Sequence, residues 1–406
     1  MTTKRVLFID HDTGRSGSTV SLEYLVKAFK EEGYIVFIHT PKKKEEHKKT
    51  LMEAGANLIE MRGWNFTSLA LSLHFTNITS PFSIRGVRTN IKEIIKFFMG
   101  ILISLRVIRE TRPDLVYVNE YVVIQASLAA YFSRIPAVIH IRSPLLQGVF
   151  GIRRYVVSQL ILKYNDAIFA ITSKEADQLR ARGKEFKKLK LVGEFFSEMD
   201  SCSKDKLFSR EAFGLPNTKK VVTMLGGIQS IKGTLDFLRG AYSVALHRDD
   251  VVFVVAGREY KEENEKERVH YQECMRIVES SQMNGAVVIL GEIINALELV
   301  AISDIIVSPS SETHFARPVV EAWGLAKPVI ATKTEHMLEL MADRVNGLLV
   351  DVGDHEALAK SILLLMEDEK LARSLGNEGK RNFTAEFLAV SKTRIIVETC
   401  DNLIAH

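Results

Sequence analysis

Along most of the chain, short runs of β-branched and other apolar residues alternate with stretches whose apolar positions recur every three or four residues. The first pattern predicts buried strands, the second helices packed by one face. In the first half, strands are predicted at Val6 to Asp10, Ile35 to His39, Leu58 to Met61, Leu115 to Val118, Ala137 to Ile141, Ala167 to Ile171 and Lys190 to Val192. Leu22, Leu25, Val26 and Phe29 share one helical face, and Gly33 ends that helix. A long basic helix is predicted from Asn90 to Thr111, stopping before Pro113, and another from Gln125 to Phe132. Thr172 and Glu175 have the spacing of a capping box at a helix start.

The second half restarts the alternation after a polar linker at 197–219. Its strands are predicted at Val221 to Leu225, Val251 to Ala256, Val287 to Leu290, Ile305 to Val307, Val329 to Ala331 and Leu348 to Val350, and beyond about residue 355 the pattern is helical throughout. The fold class is therefore α/β: two Rossmann-like parallel-sheet domains facing across a cleft. The boundaries read 1–197, 198–387, and a C-terminal helix over 388–406.

Residues 62–90 break the pattern. Gly63, Pro81, Gly86 and many hydroxyl residues are interleaved with Trp64, Phe66, Phe75 and Phe82. Such a stretch is either a cover or surface for an apolar partner, or packed irregular structure.

At 406 residues the chain is too long for one core. Three scattered cysteines, Cys202, Cys274 and Cys400, have no metal-ligand spacing and fit a reducing compartment, so a cytoplasmic location is expected. Asp10, His11 and Asp12 cluster after the first strand, but turn formation explains them and no metal is expected. The longest apolar run, Phe97 to Leu105, is too short to span a bilayer. Residues 1–197 carry 30 Lys+Arg against 18 Asp+Glu, and the remainder 24 against 32. That asymmetry fits an anionic partner or peripheral contact with a membrane's inner face, or simply a solvated basic face. No nucleic-acid-binding module is visible.

Two stretches carry chemistry. One is a strand followed by Gly226-Gly-Ile-Gln-Ser-Ile-Lys-Gly233, in which glycines admit a ligand close to the backbone and Lys232 supplies a point charge for phosphate. It is not a Walker A loop, and an ordinary exposed lysine has the same pattern. The other runs from Asp304 to Thr332: a strand, a polar loop, a helix with Pro318 as its first residue, and a second strand. A helix start at a strand's C-terminal edge favours anions. Glu321, expected in that helix's first turn, would accept from ribose hydroxyls or would only complement the dipole.

These stretches resemble the donor-binding blocks of family 4 glycosyltransferases, which have the GT-B fold. Gly347-Leu-Leu-Val350 with Gly353-Asp354, Ser16-Gly17, Arg112 to Val116 and Pro136 to His140 resemble further motifs of that family in the same order. The resemblance implies a retaining hexosyltransferase that moves a sugar from a nucleotide-diphosphate donor to a glycan or lipid-linked acceptor, in bacterial surface polysaccharide or glycolipid synthesis. It implies no cofactor beyond the donor substrate, and a C-terminal helix over 388–406 that crosses back to the first domain.

By the same resemblance, Lys232 neutralises the diphosphate and Glu321 holds the ribose. Gly226, Gly227, His314, Phe315, Ala316 and Arg317 line the nucleotide-sugar site, His140 lies near the transferred sugar, and Gly17 lets the first domain reach the diphosphate. Two positions depart from the pattern. The family's first glutamate falls on Thr313, with Glu312 one residue earlier and expected to act in its place. The family's arginine falls on Gly227, with Arg142 or Arg317 as replacement. A non-catalytic GT-B subunit and a GT-B sugar-nucleotide epimerase are the alternatives.

Overall fold

The computed structural model describes residues 3–11, 17–40, 45–60, 84–145, 151–179, 187–196, 209–259, 265–293, 296–312 and 317–405. The chain divides into two compact units, 1–197 with 389–406, and 198–388.

The N-terminal unit is built on seven parallel strands: β1 (Arg5–Ile9), β2 (Ile35–Thr40), β3 (Asn57–Glu60), β4 (Leu115–Val118), β5 (Ala137–Ile141), β6 (Ala167–Ala170) and β7 (Leu189–Leu191). They lie in the order β3-β2-β1-β4-β5-β6-β7. Both faces of the sheet are covered, which is why its central strands read as unbroken apolar runs. Val6 and Phe8 pack on one side with Leu22, Val26 and Phe29 of α1 (Gly17–Glu31). Leu7 and Ile9 face the other side, against α3 (Ile84–Thr111) and α4 (Gln125–Phe132). α2 (Glu45–Glu53) precedes β3, α5 (Ile152–Tyr164) precedes β6, and α6 (Ser173–Leu179) precedes β7. The capping box forms: the Thr172 N–H donates to Glu175 Oε2 at 2.9 Å.

Two helices depart from the expected pattern. α3 begins at Ile84, not Asn90, because Ile84, Val87 and Ile91 extend the same helical spacing through Gly86. The mixed-charge start of α5, with Tyr155 and Val156 exposed, hides that helix from a search for one apolar face.

The C-terminal unit has six parallel strands: β8 (Lys220–Leu225), β9 (Val251–Ala256), β10 (Val287–Gly291), β11 (Ile305–Ser308), β12 (Val329–Thr332) and β13 (Leu348–Val350), in the order β10-β9-β8-β11-β12-β13. The helices between them are α7 (Thr234–Ala245), α8 (Glu265–Val278), α9 (Ala296–Ile302), α10 (Arg317–Gly324) and α11 (Glu335–Leu340). α12 (His355–Glu367) and α13 (Glu369–Glu386) follow β13. Trp323 anchors α10: it is fully buried, its Nε1–H donates to the Asn346 carbonyl at 2.9 Å, and Gly379 of α13 lies against its ring.

The last helix, α14 (Ala389–Ala405), packs on α1 in the N-terminal unit. Ile396, Val397 and Cys400 enter the core formed by Val6, Phe8 and Phe29. Asp401 accepts from both Lys4 and the Tyr34 hydroxyl, and Lys190 Nζ donates to Thr399 Oγ1 at 2.8 Å.

Candidate functional site

In each sheet the connections run outward in both directions from one pair of strands, β1/β4 in the first unit and β8/β11 in the second. The loops leaving such a pair diverge and open a crevice at the strands' C-terminal ends, where ligands bind in open α/β sheets.

In the C-terminal unit, β8 runs into Gly226 and Gly227, whose N–H groups both donate to the Ala256 carbonyl at 2.9 Å. Gly227 has φ +74°, and a Cβ there would lie 2.0 Å from the Arg258 carbonyl oxygen. The loops after β8 and β9 therefore touch backbone to backbone, and a side chain at 227 has no room. Ser230–Lys232 forms one 3-10 turn closed by Gly233 at φ +72°, where a Cβ would stand 1.8 Å from the Pro309 carbonyl oxygen after β11. Glycines thus interlock three loops.

Side chains brace the same turn. Thr234 Oγ1 donates to the Gly227 carbonyl at 2.8 Å, and the buried carboxylate of Glu267 accepts from the Ser230 N–H at 2.9 Å. The Ser311 N–H donates to the Ile231 carbonyl at 3.0 Å. The stem of Lys232 runs past Gly226, whose Cβ would be 3.2 Å from Lys232 Cγ and Cδ. Burial pushes the Lys232 ammonium down to about 8, because a charged amine is disfavoured away from water.

Across the strand pair, α10 starts at Arg317, with Pro318 second and not first. Glu321 is consequently in the helix's second turn, one turn further in than expected. There it lies 3.5 Å from Arg317 Nε as an i,i+4 pair, with both side chains mostly buried. Its placement follows from that arginine more than from the dipole, whose effect fades beyond the first turn. Glu312 is exposed on the loop after β11. Thr313, His314, Phe315 and Ala316 lie outside the described residues, as do 61–83, 12–16 and most of the linker.

The N-terminal unit holds a buried polar cluster at its own strand pair. Asn119, after β4, donates through Nδ2 to Asp10 Oδ1, after β1, at 3.1 Å. His140 has no exposed surface, and the Tyr117 hydroxyl lies 2.9 Å from its Nδ1. Arg142 donates through Nη1 to Glu194 Oε1 at 2.9 Å and through Nε to Asn119 Oδ1 at 3.1 Å. Glu194 also accepts from Ser21 Oγ of α1 at 2.6 Å. Arg142 is therefore a hub inside this unit and not a surface cation, which removes it as the replacement for the missing arginine. Glu120 accepts from the backbone N–H groups of Tyr121 and Arg142 and from Ser143 Oγ, yet burial raises its carboxyl to about 8. Gly17 is the first residue of α1. Among the described residues no group of three His, Cys, Asp or Glu side chains could hold a metal.

Sequence reasoning missed Arg258, Glu267, Glu120 and Glu194. Only Arg258 left a local signal: Gly257-Arg258 ends an apolar run in register with Gly226-Gly227. The others become visible only when distant loops meet.

Two family models match the chain: "Glycosyl transferase 4-like domain" over residues 16–193 and "Glycosyl transferases group 1" over 205–382. N-acetyl-alpha-D-glucosaminyl L-malate synthase of Bacillus anthracis is 20% identical over 226 residues, covering 56% of this chain and 57% of that protein. N,N'-diacetylbacillosaminyl-diphospho-undecaprenol alpha-1,3-N-acetylgalactosaminyltransferase of Campylobacter jejuni is 26% identical over 239 residues, covering 56% and 59%. The chain thus spans just over half the length of these relatives. The crystal structure of Anabaena Alr3699/HepE in complex with UDP and glucose superposes with a TM-score of 0.75 at 19% identity, covering 98% of this chain and 100% of that one. With one model on each sheet and the same double-sheet architecture, the chain belongs to the family 4-type glycosyltransferases of GT-B fold.

Proposed function

We propose that the protein is a retaining glycosyltransferase that takes a hexose-type sugar from a nucleoside-diphosphate donor and passes it to a glycan or lipid-linked acceptor in surface polysaccharide or glycolipid synthesis. The interlocked loops around Lys232 carry this reading. Gly227 and Gly233 let three loops lock backbone to backbone, and Lys232 stands on the turn that they frame. In the structure of Anabaena HepE, UDP and glucose are bound by a protein of the same fold.

In this reading the α- and β-phosphates sit beside the 226–233 loop and at the start of α10, where Lys232 and the helix's first amides meet the charge that grows as the sugar–oxygen bond breaks. Arg258, exposed and locked by its backbone against Gly227, takes the part of the family's missing arginine from the neighbouring strand. Glu321 accepts from the ribose hydroxyls, held in place by Arg317. Glu312 acts on the sugar. The resemblance sets His140 near the transferred sugar, and its fully buried ring stays neutral there. No covalent nucleophile is required.

A thermal-shift panel of UDP-, GDP- and ADP-sugars against wild type and Lys232→Ala tests this, because a ligand that binds only the folded state raises the melting temperature. One donor class should stabilise the wild type and leave the variant unmoved. No shift with any of them in the wild type overturns the proposal.

A further inference from the structure

The apolar run in α3 does not go wholly into the core. Ile91, Ile94, Ile95, Phe98 and Leu102 are exposed, Phe98 by 61% and Leu102 by 60%. Their spacing of three, one, three and four residues sets them on one stripe of the helix. The opposite face of α3 is packed: Val107 and Ile108 join the core, and a Cβ on Gly100 would stand 2.4 Å from Gln125 Cγ at the start of α4. The stripe is therefore a second apolar face with no role in the N-terminal unit's own core.

α5 adds exposed apolar side chains of its own. This helix packs on α4, as α3 does, and the Glu93 carboxylate of α3 acts on the Arg153 guanidinium of α5. The first turns of α5 expose Ile152, Tyr155 and Val156, Tyr155 by 67%. Charge borders this surface and is almost all of one sign. α3 carries six Lys and Arg against two Glu, and α5 carries three Lys and Arg and no carboxylate. Lys92 and Arg109 make no ion pair among the described residues. No described helix is long and apolar enough to cross a membrane.

We infer that the α3–α5 face docks on an anionic lipid bilayer, with the apolar stripe at the acyl boundary and the flanking ammonium and guanidinium groups on lipid phosphates. Each feature has a job there. A contiguous exposed apolar surface calls for a cover. A helix with an apolar stripe and a basic border lies in the plane of a charged interface. Basic groups beside the stripe draw it to anionic headgroups within a Debye length. A protein partner with an apolar groove would match the stripe but gives no account of the one-signed border. This inference is independent of the nucleotide chemistry, and it restricts the acceptor to one presented at a membrane surface.

The test is flotation of the full chain with vesicles of phosphatidylcholine alone and of phosphatidylcholine mixed with phosphatidylglycerol, at low and high salt. Wild type should float with the mixed vesicles at low salt, stay down with phosphatidylcholine alone, and release as salt rises. Ile94→Glu with Phe98→Glu, and separately Lys92→Glu with Arg109→Glu, should each lower the bound fraction about tenfold, a change in binding free energy of roughly 1.4 kcal/mol. Because these side chains are exposed, the variants should melt as wild type does and titrate nucleotide as wild type does, which separates this result from any failure of the donor-site assignment. Wild type that does not float, or variants that float equally, overturn the inference. So does a wild type that self-associates through the stripe in sedimentation velocity and ignores vesicles.

Discussion

Arg142 Nη2 stands 3.2 Å from His140 Nδ1, and the Tyr117 hydroxyl stands 2.9 Å from the same nitrogen. Guanidinium N–H groups only donate, so Nδ1 must accept and the imidazole proton must sit on Nε2. Nε2 is buried with no partner among the described residues. Two donors therefore fix the tautomer, and a buried N–H is held ready for an acceptor, the kind of group that calls for a functional explanation.

His140 should remain neutral and Nε2-protonated across the working pH range. Burial and the positive charge of Arg142 hold its pKa well below the usual histidine value. As pH falls below about 6.5 the unfolded chain takes up a proton that the folded chain refuses, so stability contributed at this site drops on acidification. Nitrogen NMR on the histidine ring checks this: no titration between pH 5 and 8 is expected, and a midpoint near 6.5 would refute the buried geometry.

The Arg142–Glu194 pair should be costly to break from one side. Glu194→Gln or Arg142→Met leaves a buried charge without its counterpart, a loss of about 3–5 kcal/mol. The double variant should lose less than the sum of the two. Urea unfolding of the four proteins measures the coupling, and strict additivity would mean that the two side chains do not meet in solution.

Gly227→Ala and Gly233→Ala should each disrupt nucleotide binding although neither adds a polar group. Both positions have left-handed φ, and the new methyl would overlap the Arg258 or Pro309 carbonyl. Overpacking of this kind costs roughly 1–3 kcal/mol. Gly214→Ala is the control: it has φ +65° but nothing within 4 Å of the added Cβ. Thermal melts with and without nucleotide distinguish the pair from the control.

Diphosphate affinity should fall as pH rises through about 8, where the free protein loses the Lys232 proton. Binding restores that proton, so titrations between about pH 8 and 10 should show uptake of up to one proton per ligand. Stability of the free protein carries the opposite sign: the unfolded lysine holds its proton more tightly, so this site favours folding more as pH rises over that window. Calorimetry in buffers of different ionisation enthalpy reads the uptake directly. No uptake would place the ammonium away from the phosphates.

Strand positions were legible because each strand of a doubly covered sheet is an apolar run bounded by polar turns, and thirteen such runs lie in parallel order. The glycine loop was legible because Gly226, Gly227 and Gly233 mark places where only hydrogen fits. The true position of Glu321 was not. It depended on whether α10 starts at Arg317 or Pro318, and a proline suits either of the first positions. The inward turn of Arg142 was also hidden, since its partners Asn119 and Glu194 are 23 and 52 residues away and become neighbours only through the order of the strands. Arg258 was overlooked although Gly257 marks it locally, because its contact with Gly227 joins the loops after two different strands.

The most direct measurement is an isothermal titration of UDP, GDP and ADP, each beside its nucleoside, into wild type and Lys232→Ala. One diphosphate should bind the wild type, and the variant should lose at least about tenfold in affinity for it while its affinity for the matching nucleoside stays within a factor of about two. Equal affinity of the two proteins for the diphosphate, or a wild type that binds none of the three, would contradict a diphosphate site built on the Lys232 loop.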